Sequence, residues 1–524
     1  MSQEPSSSSG AAPADSPASD PSVGPGGSVG PGGSVVPTGL APLDYILDGG
    51  YAYNRVHLLE GEPGSGKTTL GLQFLLDGRD RGDRCLYITL SESREELLHV
   101  AQTHGWDMTG VDIFELVPPE LSLDADREQS IVYSSDLELG ETVSMVMEEV
   151  SRVEPTRIVF DSLSEIRLLA QGPLRFRRQL LALKHYFAQR QCTALFLDDL
   201  TQTQDDLSLH SLAHGVVRLE QIALPYGVER RRLRVYKMRA RNFRGGFHDF
   251  VIRRGGLQIF PRLNAAAHPD TGFEDRVATS GIAELDTLAG GGLDYGTSTL
   301  IIGPSGSGKT TLAMQYVFAA LERGEKALFI SFDETERVFM RRAAGLGLDV
   351  TQHAADGRMC FRQIDPGELS PGELTGVIRD HVERLGASVV VLDSLSGYQL
   401  AMPEEQYLLL QMHEIVTYLN QQGVLGFLIL TQAGMIGTMQ SPVDLTYLSD
   451  SVILLRFFEA DGEIRRAMSV LKRRTGAHES TLREFRIDGG GIRVGPKLVG
   501  FRGVLTGTPV FDGGERLLTA RDDR

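Results

Sequence analysis

Only three cysteines and one tryptophan occur in 524 residues, and aromatic residues make up 7% of the chain. Cys85, Cys192 and Cys360 are too few and too scattered for a disulfide framework, and none has the paired spacing of a metal site. They read as small apolar residues of a protein in a reducing compartment, so a cytoplasmic location is expected. No apolar run approaches the roughly 18 residues that a membrane span needs. The N-terminus has no basic stretch leading into an apolar one, so secretion is not expected either. Positive charge is in deficit: 52 Lys+Arg against 69 Asp+Glu leave a formal net charge of −17. That balance argues against a broad nucleic-acid-binding surface.

At 41% hydrophobic and 23% charged, the chain has the composition of an ordinary soluble protein. Its length exceeds the roughly 250–300 residues that one hydrophobic core supports, so two or more domains are expected. Residues 1–37 are mostly Pro, Gly, Ser and Ala, too poor in apolar surface to offset the entropy of ordering, and read as a disordered tail. Beyond them the chain is written twice. Thr38-Gly39-Leu40 returns as Ser280-Gly281-Ile282, and GEPGSGKTTL (Gly61–Leu70) returns as GPSGSGKTTL (Gly303–Leu312), with Lys67 and Lys309 242 residues apart. Arg157–Leu169 matches Val389–Ala401, Thr201-Gln202 matches Thr431-Gln432, and Val235–Arg239 matches Val470–Arg474. An ordered series of this kind is a tandem duplication.

Each copy alternates short β-branched runs with helical periodicity, the pattern of an α/β fold with a mostly parallel twisted sheet flanked by helices. Strands are expected at Val56–Glu60, Cys85–Thr89, Arg157–Phe160 and Ala194–Leu197, and again at Ser298–Ile302, Ala327–Ser331, Val389–Leu392 and Gly426–Leu430. Helical spacing covers Arg178–Gln191 and Glu404–Gln421. The expected domains span 38–262 and 276–510, joined by a linker at 263–275 and followed by a short tail at 511–524.

Both copies carry G-x-x-x-x-G-K-[ST] between a strand and a helix, the setting in which backbone N–H groups and a helix N-terminus cradle phosphates. The nucleotide-binding set is Gly61, Gly64, Ser65, Gly66, Lys67, Thr68 and Thr69 in the first copy. In the second it is Gly303, Ser305, Gly306, Ser307, Gly308, Lys309, Thr310 and Thr311. The lysine reaches the β/γ oxygens of ATP, and the hydroxyl of Thr68 or Thr310 completes a Mg2+ shell. Asp161 and Asp393 end apolar strands, where each serves either that Mg2+ or the cap of the next helix. Glu92, and the pair Asp333 and Glu334, follow another strand. They stand either as general bases or as helix caps.

These duplicated loops, acidic pairs, DSLS segments and K-x-R sequences resemble the RecA-like ATPases of the KaiC family, over about Thr38 to Pro509. The resemblance implies two tandem RecA-like P-loop domains in a double-ring homohexamer with ATP between subunits. It implies that Lys237, Arg239, Lys472 and Arg474 act on a neighbouring subunit's nucleotide; the residues alone also fit a basic strand face. It further implies serine/threonine autokinase activity in the second copy, with Thr446 and Tyr447 at the acceptor positions, and a signalling or timing role with regulatory protein partners. The chain departs from the family pattern at Tyr447, at Asp333 with its shorter side chain, and at Ser91. With Arg524 following soon after Thr506–Pro509, the family's longer regulatory tail is not expected. A RecA-type DNA-dependent ATPase and a nucleotide-gated scaffold with little catalysis are the alternatives.

Overall fold

The computed structural model describes residues 35–116, 135–170, 172–200, 207–224, 227–264, 272–399, 405–432, 445–460, 462–505 and 510–511. Residues 1–34 of the expected tail, Thr201 and Gln202, 265–271 of the linker, Thr506–Pro509 and the last thirteen residues lie outside these.

Each copy forms one nine-stranded sheet flanked by helices, and the two sheets share one strand order. In the first, six strands run parallel: Val111–Glu115, Cys85–Thr89, Arg157–Asp161, Thr193–Asp199, Val56–Gly61 and Gly215–Ile222. Arg230–Met238, Phe247–Arg253 and Gly256–Phe260 extend that sheet antiparallel. The second repeats this with Met359–Gln363, Ala327–Ser331, Val389–Asp393, Leu425–Thr431, Ser298–Gly303 and Ser451–Ala460, then Glu463–Arg473, Arg483–Asp488 and Gly491–Lys497. These are two tandem RecA-like domains.

The sequence explains the division. Val56–Gly61 and Ser298–Gly303 are buried at every position, as central parallel strands covered on both faces must be. Arg230–Met238 instead alternates, with Leu233 and Val235 buried and Arg234 and Tyr236 exposed, the mark of an antiparallel strand with one wet face. Apolar side chains cover both faces of each sheet. Leu59, Tyr87 and Val159 pack against the phosphate-loop helix Lys67–Asp80, while Leu58, Ile88 and Phe160 face the helices Ser135–Val153 and Pro173–Gln189. The last of these starts five residues before the expected Arg178, because Pro173 at its first position is preset for helical φ.

Register corrects one of the copy-to-copy matches. Gly61 pairs with Asp199 as Gly303 pairs with Thr431, and Leu200 N–H donates to Gly61 O as Gln432 N–H donates to Gly303 O. The counterpart of Thr431-Gln432 is therefore Asp199-Leu200, two residues before the Thr201-Gln202 dipeptide chosen on identity. Strand pairing against the fixed phosphate-loop strand decides the correspondence.

The copies also touch. Arg253 pairs with Glu373, Arg262 lies 2.6 Å from Glu414, and the Gly372 N–H donates to Asp249 at 2.7 Å. Leu263, at the start of the expected linker, packs into the second domain's core.

Candidate functional site

At the carboxyl end of its central strand, each sheet turns into a phosphate loop. Gly66 (φ 102°) and Gly308 (φ 104°) sit in the left-handed region at the helix start. A Cβ at either would stand 2.7 Å from Ile252 or 2.6 Å from Ile487, so both conformation and packing demand glycine. The following helix opens with Lys67-Thr68 or Lys309-Thr310. Ser65 and Ser307 are buried in the loops, with hydroxyls that have no partner among the described residues.

The two lysines differ in their company. Lys67 Nζ donates to the carbonyls of Gly61 and Glu62, at 3.0 and 2.9 Å, and lies 2.7 Å from the Asp199 carboxylate. Lys309 donates to Pro304 O at 2.8 Å, and burial pulls its ammonium down to about 8. The register places Thr431 where Asp199 stands, so this ion pair belongs to the first copy.

Thr68 Oγ1 lies 3.3 Å from Asp161, which also accepts from the Tyr87 hydroxyl at 2.5 Å. Burial raises the Asp161 carboxyl. In the second copy Thr310 bonds to Asp393, whose carboxyl burial pushes up to about 6, and Phe329 replaces Tyr87. The peptide bonds Asp161–Ser162 and Asp393–Ser394 are both cis.

Glu92 is not a helix cap. The helix Arg94–His104 is capped by Ser93 with Glu96 in a capping box, which leaves Glu92 beside the loop. Burial, then the charges of Asp161, Glu96 and Asp199, raise its carboxyl to about 7, and its Oε2 has no partner among the described residues. In the second copy Thr335 occupies the N-cap; Glu334 instead pairs with Arg342 at 2.6 Å, and Asp333 accepts from Ser394 Oγ at 2.7 Å. Asp333, Glu334, Arg342, Asp393, Thr431 and Arg466 line one cavity of about 480 Å3 with Lys309.

Lys237, Arg239, Lys472 and Arg474 lie elsewhere. Lys472 donates to Thr446 O and Ser449 O at 2.8 and 2.7 Å, and Arg474 donates to Tyr447 O at 2.6 Å. Lys237 likewise holds His210 O and Ala213 O, and Arg239 holds Ser211 O. This clamp sits at the amino end of the sheet: Asp450 N–H donates to Ser298 O, the first residue of the strand whose last residue, Gly303, opens the phosphate loop. A six-residue strand puts about 17 Å between those ends. Thr446 and Tyr447, both exposed, are thus remote from their own chain's Lys309.

A family model described as "ATPase: KaiC" matches residues 36–264 and 278–499. The chain belongs to the KaiC family of ATPases. It is 27% identical over 489 residues to the circadian clock protein KaiC3 of a Synechocystis species, covering 90% of this chain and 94% of that one. It is 24% identical over 474 residues to the circadian clock oscillator protein KaiC of a Picosynechococcus species, covering 89% and 90%. With KaiC2 of the Synechocystis species it shares 26% over 486 residues, covering 90% and 83%. An ATPase domain present twice implies nucleotide binding in each copy of this KaiC-family chain.

The residues fit Mg2+. Among the described residues no three His, Cys, Asp or Glu side chains gather as a protein cage. Each phosphate loop instead pairs one hydroxyl with one buried carboxylate, the sparse donor set of an ion that keeps waters and substrate phosphates. Among the described residues no helix is long and apolar enough to cross a membrane.

Asp199, Tyr87, Arg342 and Arg466 escaped the sequence reading. The only signal for Asp199 was strand register, and Arg342 announces itself only through a helix that folds back on Glu334.

Proposed function

We propose that this KaiC-family ATPase works as a homohexameric double ring that hydrolyses ATP in both copies and phosphorylates its own chains at Thr446 and Tyr447, in a signalling or timing role. The observation that carries the reading is polar separation. Each domain holds its phosphate loop at one end of the sheet and its Lys-x-Arg pair at the other, so a complete site needs the amino end of one domain against the loop of another. Stacking like domains in a ring supplies that juxtaposition once per subunit.

In the first copy Thr68 and Asp161 would hold Mg2+, which supplies charge neutralisation on the phosphates. Lys67 binds the β/γ oxygens, and Glu92 takes a proton from the attacking water. In the second copy, a neighbour's Thr446 Oγ attacks the γ-phosphorus. The new O–P bond forms as the bond to the β-bridging oxygen breaks, ADP leaves, and Asp333 or Glu334 takes the hydroxyl proton. Lys472 and Arg474, adjacent to that acceptor, offset the charge developing on the transferred group.

Incubation with ATP labelled at the γ-phosphate is expected to label the purified chain. Thr446→Ala with Tyr447→Phe should remove the label; label that persists in that double variant sinks the assignment of acceptors. Native mass measurement with and without ATP checks the hexamer.

The Lys67–Asp199 pair gives the first site its own binding behaviour. An ATP phosphate must displace the carboxylate from the ammonium. Asp199→Thr, which installs the second copy's residue, is therefore expected to lower the first site's KM for ATP roughly fivefold, the worth of a ~1 kcal/mol ion pair. Steady-state kinetics in a Lys309→Ala background reads it, and a KM that stays put refutes the competition.

A further inference from the structure

One cation of the second cavity has no counterpart in the first copy. Arg342 lies on the helix Glu336–Gly345 and lines the cavity together with Lys309 and Thr310 of the phosphate loop. The corresponding helices are capped by Ser93 and Thr335, and that register puts Val100 where the second copy has Arg342. The two copies also engage different carboxylates. In the first, Asp199 holds the loop lysine, and the Glu92 Oε2 has no partner among the described residues. In the second, Lys309 donates to a backbone carbonyl, and it is Glu334 that is held, 2.6 Å from the Arg342 guanidinium. Duplication thus left one ion pair in each site, on the lysine in the first and on a candidate base in the second.

Arg342 stands on the phosphate side of its cavity. Burial raises the Asp393 carboxyl; the Thr310 hydroxyl opposes that rise first, then Arg342, then Lys309. The carboxylate assigned to Mg2+ therefore feels Arg342 as well as the loop lysine. Asp333 accepts from the hydroxyl of buried Ser394 at 2.7 Å, which leaves Glu334 as the acid whose only cation can move away. The Arg342 side chain is 32% exposed, and its Nε has no partner among the described residues. A partly exposed ion pair of this kind is weak. A terminal phosphate offers the guanidinium fork more charge and more acceptors than one carboxylate does, so exchange favours the phosphate.

We infer that Arg342 is a catalytic residue of the second site, which trades Glu334 for the terminal phosphate of ATP and so frees that carboxylate to take the proton of the attacking nucleophile. The inference deepens the reading of the second copy given above and rests on it. One movement supplies both the cation that offsets charge developing on the transferred group and the base that activates the nucleophile. The first site, with Val100, has no such exchange.

Turnover by full-length Lys67→Ala chain reports the second site. Adding Arg342→Val, which installs the first copy's residue, is expected to lower kcat/KM for ATP at least tenfold. The inhibition constant of ADP, which lacks the terminal phosphate, should move less than twofold. Arg342→Lys keeps the charge without the fork and should fall between valine and native; it gives the same comparison if valine disturbs the helix. Equal losses for ATP and ADP would make Arg342 a support of the helix and overturn the inference. A kcat that rises in Arg342→Val would overturn it too, because Arg342 would then only restrain Glu334. No change for either nucleotide, in variants whose thermal unfolding matches the Lys67→Ala chain, also overturns it and leaves the second nucleotide site standing. A Lys67→Ala chain no faster than Lys67→Ala/Lys309→Ala would remove the second site's turnover, and with it both the reading and the inference.

Discussion

A chain carrying both Lys67→Ala and Lys309→Ala is expected to turn over ATP on the order of 10^3-fold more slowly than the native protein, the scale at which single phosphate-directed cations act in phosphoryl transfer. Both ammonium groups are buried at the start of the loop helix, at 7% and 6% exposure, where water screens little of their field. Backbone N–H groups remain in the variant and hold phosphate. They do not supply the full positive charge that the transition state needs. The single variants then separate the sites. With Lys309→Ala, turnover reports the first site, where the proposed base is Glu92, raised to about 7. A base must be deprotonated to act, so kcat/KM is expected to rise as pH increases through about 7 and to level off above it. Glu92→Gln should flatten that rise. Turnover unchanged in the double-lysine variant would refute the loop assignment; a flat profile in Lys309→Ala would remove Glu92 from its role.

How much of this was legible in the sequence follows from which interactions are local. The phosphate loops were, because their chemistry is a contiguous backbone path between a buried strand and a helix, and duplication repeats it. The central strands were too, since burial on both faces writes a continuous apolar run. The caps were ambiguous: SESREE contains two candidate caps, and only the backbone selects Ser93 with Glu96 and frees Glu92. Asp199 was hidden for a different reason. Its partner is 132 positions earlier, and matching the Thr-Gln dipeptides drew attention two residues too far along. The antiparallel extensions were compressed into "mostly parallel", although the alternation in Arg230–Met238 carries the signal.

Arg157→Ala is expected to destabilise the first domain by about 3–5 kcal/mol, the cost of breaking a buried ion pair by removing one partner. Arg157 is 2% exposed. Its guanidinium lies 2.7 Å from Asp83 and 3.1 Å from Asp77, donates to Pro37 O and Phe74 O, each at 3.0 Å, and stacks over Phe74. The stem passes beneath Gly78, where a Cβ would meet it at 2.6 Å. This one side chain therefore ties the later half of the helix that begins with Lys67-Thr68 to the start of the strand that ends with Asp161. Register places Val389 and Ala320 at the corresponding positions of the second copy, which solves the same packing problem with apolar contact. Removing Arg157 alone leaves an apolar gap beside Asp77 and Asp83, which among the described residues keep only Arg81 at 2.8 Å and Thr156 at 3.0 Å as side-chain partners. Arg157→Val with Asp77→Ala, by contrast, installs the second copy's Val389 and Ala319 and is expected to recover part of the loss. Calorimetry should show a first-domain transition lowered by roughly 10 °C in Arg157→Ala, at about 2–4 °C per kcal/mol for a domain of this size. Nucleotide affinity in the second domain should stay native. If Arg157→Ala melts with the native protein, the ion-pair network is incidental and the helix and strand are held by their apolar faces alone.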